Sequence, residues 1–224
     1  MTAPLKRNMR TRIKICGLTR ENDIEAAVAA GADAIGFVFY AKSKRCLAPA
    51  RAAELRRLVP AFVDVVALFV NPSETEVRTV LDQVGPDLLQ FHGDEPPEAC
   101  ARYGRRYLRA FRVGAPGLDT AAGLAEHCRA YGDASGWLFD SYSSGYGGSG
   151  LAFDHDLLAG LLADAAARPV ILSGGLNAQN VGASVRRIRP WAVDVSSGVE
   201  DSPGIKNSAK ILDFVSAVQN ADAG

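Results

Sequence analysis

The chain has 224 residues, 48% of them hydrophobic and 22% charged, the composition of an ordinary folded protein. Twenty-five basic and twenty-five acidic residues cancel, which removes any global electrostatic case for a nucleic-acid or membrane-surface partner. No apolar run approaches the roughly 18 residues of a membrane-spanning helix. The opening MTAPLKRNMRT has no apolar stretch behind it, so it does not read as a secretory signal, and residues 1–11 are expected to be a flexible tail. Cys16, Cys46, Cys100 and Cys128 lie far apart with no CxxC pair, so the expectation is free thiols in a reducing cytoplasm.

From residue 12 onward the chain alternates in a single rhythm. Short apolar runs begin near Arg12 (RIKIC), Ala34 (AIGFVF), Val63 (VDVVALFV), Leu88 (LLQF), Arg106 (RYLRAF), Gly136 (GWLFD), Pro169 (PVILS) and Ala192 (AVDVS). Each is followed by a helical stretch, from ENDIEAAVAAG after the first run to KNSAKILDFVSAVQ after the last. Ser73 followed three residues later by Glu76 has capping-box spacing, and Gly31 supplies a helix stop after Ala27–Ala30. The runs are continuously apolar rather than alternating, as expected for parallel strands buried on both faces. Eight such units predict a single α/β domain, a closed (β/α)8 TIM barrel over residues 12–218, with a C-terminal tail at 219–224. CGLTRE after the first strand is not the glycine-rich turn of an open dinucleotide-binding sheet.

In such a barrel the chemistry sits at the C-terminal ends of the strands. Gly/Ser-rich turns follow strands 7 and 8, at Gly174, Gly175, Ser197 and Gly198. Glycines there let backbone N–H groups approach an anion, and this is where barrels often bind phosphate; the alternative is that they merely make tight turns. Cys16 and Asp140 end strands 1 and 6, on roughly opposite sides of the mouth, and form the candidate acid–base pair. For Cys16 the alternative is a small buried hydrophobe, and for Asp140 a helix cap. Arg45, after strand 2, carries the planar fork that suits a carboxylate, against the plainer reading of a solvated loop charge. His92 is the one histidine at a strand end, either contacting substrate or lining the mouth as a satisfied polar group. A single histidine there argues against a metal site. Ser143–Gly150 (SSGYGGSG) is a candidate lid without the ending of a nucleotide-binding P-loop.

Taken in order, the motifs KICGLT (Lys14–Thr19), GADAIGFVF, SKR (Ser43–Arg45), ALFVN, LQFHGDE, FDS with GGSG, LSGGLN and DVSSGVE…PG.K (Asp194–Lys206) resemble the phosphoribosylanthranilate isomerases of tryptophan biosynthesis. The resemblance runs from about Ile13 to Phe214; Lys44, Phe91 and Asn207 depart from the family's usual residues. It implies an aldose–ketose type isomerisation, an Amadori rearrangement without metal or cofactor. Asp140 would be the general acid on the furanose ring oxygen and Cys16 the general base at ribose C2. Arg45 and His92 would contact substrate, Arg45 near the anthranilate carboxylate, and the turns at Gly174, Gly175, Ser197 and Gly198 would hold the phosphate. The implied partner is a small phosphosugar, and the expected state is monomer or homodimer.

The pair poses a physical difficulty. With ordinary pKa values of about 3.9 and 8.5, an aspartate and a cysteine are both largely in the wrong form at pH 7, a reversal worth roughly 6 kcal/mol if unshifted. A dry mouth would raise the acid, and a nearby cation would lower the thiol. Competing readings are the histidine-pathway isomerase barrel, which carries aspartate where Cys16 stands, and a metal-dependent epimerase, which needs more ligands than His92. A non-catalytic phosphosugar-binding barrel would bind without turnover.

Overall fold

A computed structural model describes residues 10–142, 153–164 and 166–224. The expected lid at Ser143–Gly150 lies outside the described residues. Eight strands close into a barrel in sequence order with every neighbouring pair parallel. They are β1 (Arg12–Cys16), β2 (Ala34–Val38), β3 (Asp64–Phe69), β4 (Leu88–Phe91), β5 (Tyr107–Val113), β6 (Gly136–Ser141), β7 (Val170–Leu172) and β8 (Ala192–Val195). The helices between and after them are α1 (Glu21–Ala30), α2 (Pro49–Arg56), α3 (Glu74–Val84), α4 (Pro97–Ala101), α5 (Ala121–Arg129), α6 (Ala159–Ala163), α7 (Val181–Ile188) and α8 (Ser208–Ala223).

The continuous apolar runs are explained by burial on two sides. One set of strand residues, including Ile15, Phe37, Phe69, Phe91 and Phe139, packs outward against the helices. The alternate set fills the barrel in layers. Val66, Leu88, Leu108, Leu138 and Ile171 form one, and Cys16, Val38, Leu68 and Val70 another. Period-two alternation therefore survives as inward against outward rather than apolar against polar. Phe69 and Phe91 stack at 6.2 Å between ring centroids, and Phe111 and Phe139 at 5.6 Å, each buried ring contributing on the order of 2 kcal/mol.

The expected capping box is present, with Ser73 N donating to Glu76 Oε2 at 2.8 Å and Glu76 N to Ser73 Oγ at 3.3 Å. Gly31 ends α1 in the left-handed conformation. Two helices are shorter than the sequence suggests. In EPPEACARYG, Pro96 and Pro97 delay the start of α4, which covers only Pro97–Ala101, and the start of the stretch FDHDLLAGLLADAAA is a 3₁₀ turn at His155–Leu158. Residues 219–224, expected as a tail, instead continue α8 as far as Ala223. Ala221 is buried, and Asp222 accepts from both the backbone N–H and the hydroxyl of Thr11 at 2.7 Å. A hairpin that the sequence reading did not anticipate, β9 (Glu200–Ser202) with β10 (Ile205–Lys206), stands on the β8 side of the mouth.

Candidate active site

The barrel's C-terminal mouth opens into a cavity with about 710 Å3 of space, counted out to open solvent. Cys16, Arg45, His92, Asp140, Gly174, Gly175 and Ser197 all line it, so seven residues singled out in the sequence converge on one place. Gly198 does not line it. A Cβ at that position would stand 1.9 Å from the carbonyl oxygen of Leu176, so its smallness lets the β8 turn pack onto the β7 turn. Its contribution is the close approach of the two turns, whereas direct contact with an anion was expected.

The β7 turn is organised by asparagine. Asn177 Oδ1 accepts from the N–H groups of Gln179 and Asn180 at 2.9 and 3.1 Å. Asn180 returns bonds from its own side chain, accepting from Asn177 N at 2.8 Å and donating to the Gly175 carbonyl at 2.9 Å. Gly174 adopts φ +83°, and a Cβ there would lie 2.4 Å from Ser141 Oγ and 3.0 Å from Asp140 Oδ1. The β7 turn therefore rests directly against the proposed acid.

Asp140 is held from two sides. Its Oδ1 accepts from Ser141 N at 2.8 Å, and its Oδ2 lies 3.2 Å from His92 Nε2. The other ring nitrogen, Nδ1, lies 3.1 Å from Gln90 Nε2. His92 was expected to touch substrate; its ring lines the cavity and also lies against Asp140. The β3 and β4 turns around it are fixed by buried Glu95, which accepts from Asn71 N at 2.7 Å and Gly93 N at 2.9 Å and pairs with Arg109 at 2.7 Å.

On the opposite side Cys16 is buried beside Lys14, which shares its face of β1 because the two are two residues apart. Lys14 is paired in strand register with Asp194 of β8, and their side chains meet at 2.7 Å with about 5% exposure each. Ser173 Oγ donates to the second Asp194 oxygen at 3.3 Å. Burial has the largest influence on the Cys16 thiol and pushes its pKa up; Lys14 and Lys206 pull it down without reversing the direction. Burial lowers the Lys14 ammonium, but Asp194 and Cys16 together more than compensate, and its net shift is upward. The cation expected beside the thiol is thus Lys14, although burial still outweighs it.

Arg45 was expected to offer its fork to a carboxylate of the substrate. The fork is occupied: Nε and Nη2 donate to the two oxygens of Glu200, each at 2.7 Å. Lys206, wholly buried, donates to Glu200 at 2.8 Å and to the Ser196 carbonyl at 3.0 Å, and Ser196 Oγ donates to the Cys16 carbonyl at 3.0 Å. Burial would raise the Glu200 carboxyl, yet Arg45 and Lys206 hold it below its ordinary value. Two cations against one carboxylate leave a net positive charge on this wall, with Arg45 Nη1 free of protein partners among the described residues. Lys14, Asp194, Glu200 and Lys206 were all inside legible motifs; nothing local marked them as partners.

Among the described residues, no group of three or more His, Cys, Asp or Glu side chains is placed to hold a metal. None of their helices is long and apolar enough to cross a membrane.

A closed parallel barrel, with a thiol, a carboxyl and two Gly/Ser turns around one C-terminal cavity, defines the class of (β/α)8-barrel enzymes. Residues 13–217 match the family model of N-(5'-phosphoribosyl)anthranilate (PRA) isomerase, and the chain belongs to that family. It is 70% identical over 214 residues to the N-(5'-phosphoribosyl)anthranilate isomerase of Bordetella pertussis, covering 96% of this chain and 98% of that one. Among solved structures, the isomerase of Thermotoga maritima superposes with a TM-score of 0.84 at 37% identity, covering 94% of this chain and 99% of that one. A family member in complex with reduced 1-(o-carboxyphenylamino)-1-deoxyribulose 5-phosphate gives a TM-score of 0.81 at 34% identity, with the same coverage.

Proposed function

We propose that Cys16 and Asp140 are the base and acid with which this isomerase carries out the Amadori rearrangement of N-(5'-phosphoribosyl)anthranilate, a step of tryptophan biosynthesis. The product is 1-(2-carboxyphenylamino)-1-deoxyribulose 5-phosphate. The observation that carries this reading is the convergence of Cys16 and Asp140, from β1 and β6, on the cavity that also receives the β7 and β8 turns.

Asp140 donates its proton to the furanose ring oxygen as the C1–O bond breaks, and the anthranilate nitrogen supplies the electrons that form the Schiff base. The Cys16 thiolate removes the proton from C2, and the electron pair of that C–H bond forms an enolamine. Proton return at C1 and loss of the C2 hydroxyl proton give the ketone. No atom is gained or lost overall, and each proton removed is matched by one returned. Lys14 is the cation that steadies the thiolate. The phosphate is tethered by backbone around Gly174, Gly175 and Ser197, whose N–H groups have no hydrogen-bond partner among the described residues. The substrate carboxylate takes a single bond from Arg45 Nη1 beside the positive wall rather than the whole fork. His92 acts on the substrate through Asp140.

One barrel domain suffices for this chemistry; Arg10 and Thr11, expected within the N-terminal tail, are bonded to it through Asp33 and Asp222. The state is monomer or homodimer, and a dimeric relative from which monomers have been generated is consistent with either. A cytoplasmic setting suits four unbonded cysteines. The test is turnover of phosphoribosylanthranilate, followed by loss of its fluorescence. Asp140→Asn and Cys16→Ala should each lower kcat by at least about 10²-fold, the lower edge for a lost acid or base. An unchanged kcat in either variant rejects the role assigned to that residue.

A further inference from the structure

Gln90 and His92 alternate along the end of β4, and Leu88, two residues earlier, belongs to a layer inside the barrel. Strand periodicity therefore turns Gln90 and His92 inward as well. Gln90 is fully buried, an unusual place for an uncharged polar side chain unless it is hydrogen-bonded. Its amide nitrogen is 3.1 Å from His92 Nδ1, and His92 Nε2 is 3.2 Å from Asp140 Oδ2. The three side chains form one line from the barrel interior to the proposed acid.

An amide nitrogen can only donate, so His92 Nδ1 in this line must be the accepting nitrogen. The ring's single proton then lies on Nε2, facing Asp140. A second proton on Nδ1 would meet the Gln90 N–H head-on. The opposite amide orientation is the costlier one. As placed, one acceptor, Gln90 Oε1, lacks a partner; reversed, an NH2 with two donors would occupy that spot.

We propose that Gln90 is a positioning residue for catalysis, holding His92 as a neutral ring with its proton on Nε2. The inference rests on the assignment of Asp140 as the acid. An imidazolium beside Asp140 would trap it as a carboxylate with no proton to give. A neutral N–H leaves Asp140 able to carry its proton, and then donates to the carboxylate that remains once the proton has gone to the ring oxygen. Neutral and ionised forms are thus both accommodated without moving a side chain.

The experiment combines nitrogen-15 NMR of the histidine rings with steady-state kinetics on the full chain. Only three histidines are present, and His92→Gln identifies the signal by its disappearance. In the unaltered protein near neutral pH, His92 should be neutral with its proton on Nε2. Gln90→Glu, which replaces the donor by an acceptor, should convert the ring to imidazolium. It should also lower kcat by at least about tenfold while leaving KM within about twofold. Placed in a His92→Gln background, whatever the activity of that background, Gln90→Glu should cause no further fall in kcat, because there is no ring left to protonate. Gln90→Met, which removes the donor without adding charge, serves as the control for packing and should yield a mixture of ring tautomers. An Nδ1-protonated or cationic ring in the unaltered protein overturns the proposal. So does a kcat loss from Gln90→Glu that persists undiminished without His92. Failure of the underlying reading looks different: Asp140→Asn would then keep full kcat while the ring state remained as described.

Discussion

Replacing Lys14 by Met separates what holds this barrel together from what drives its chemistry. The Lys14–Asp194 pair is 2.7 Å long with both side chains about 5% exposed. Deleting the ammonium leaves a buried carboxylate with, among the described residues, only the Ser173 hydroxyl, and breaking such a pair costs about 3–5 kcal/mol. For a chain of this size each kcal/mol corresponds to roughly 2–4 °C, so the melting temperature should fall by about 6–20 °C. Activity should fall for a separate reason. The Cys16 thiolate loses the neighbouring cation, an interaction worth about 1.5–3 kcal/mol, or roughly 10–150-fold in kcat/KM. The sign of the pH effect follows directly. Lys14 pulls the thiol's pKa down, so without it a smaller fraction of Cys16 is thiolate at neutral pH, and the limb of kcat/KM that reports the thiol should move to higher pH. The assay is the fluorescence-based turnover over a pH series, alongside thermal unfolding. The double variant Lys14→Met with Asp194→Leu should recover most of the lost stability, because an apolar pair of similar volume replaces a buried ion pair at little cost. It should not recover the activity. If the double variant restores both, or if the limb does not move in the single one, Lys14 is structural only.

Two glycine variants distinguish tethering from chemistry at the rim. Gly198→Ala must push the β8 turn off the Leu176 carbonyl, 1.9 Å from the new Cβ, and should chiefly raise KM, read from saturation curves. Gly174→Ala, by contrast, drives a Cβ to 3.0 Å from Asp140 Oδ1 at a positive φ, so kcat should fall along with the rise in KM. The fold should also lose stability in alkali. Burial pushes the Cys100 thiol from 9.0 up to about 12, so between those values the unfolded chain has lost a proton that the folded chain retains. Its contribution is full below pH about 9 and is lost as the pH climbs towards 12. Cys100→Ala should flatten that part of a denaturation-against-pH curve, and an unchanged slope would show that the thiol plays no part in it.

The strands, the α3 capping box and the α1 stop were legible because each is written in neighbouring residues. A strand buried on both faces must be apolar throughout, whatever it packs against, so RIKIC, AIGFVF and VDVVALFV announce themselves. The site positions Cys16, Asp140 and the two Gly/Ser turns were legible for a related reason: a barrel presents the residues just after its strands. The partners of those residues were not legible. Lys14 meets Asp194 across 180 positions, Arg45 meets Glu200 across 155, and His92 lies against Asp140 from another strand. Charges carry no local periodicity. Lys14, Glu200 and Lys206 look like any surface charges until closure of β1 onto β8 excludes water and obliges each to find an opposite charge or a hydrogen bond. Arg45 illustrates the limit. Its fork suits a carboxylate on chemical grounds alone, but only the closed fold supplied Glu200 as the one it takes. Backbone periodicity fixes which residues reach the mouth, and desolvation on closure decides what each of them holds.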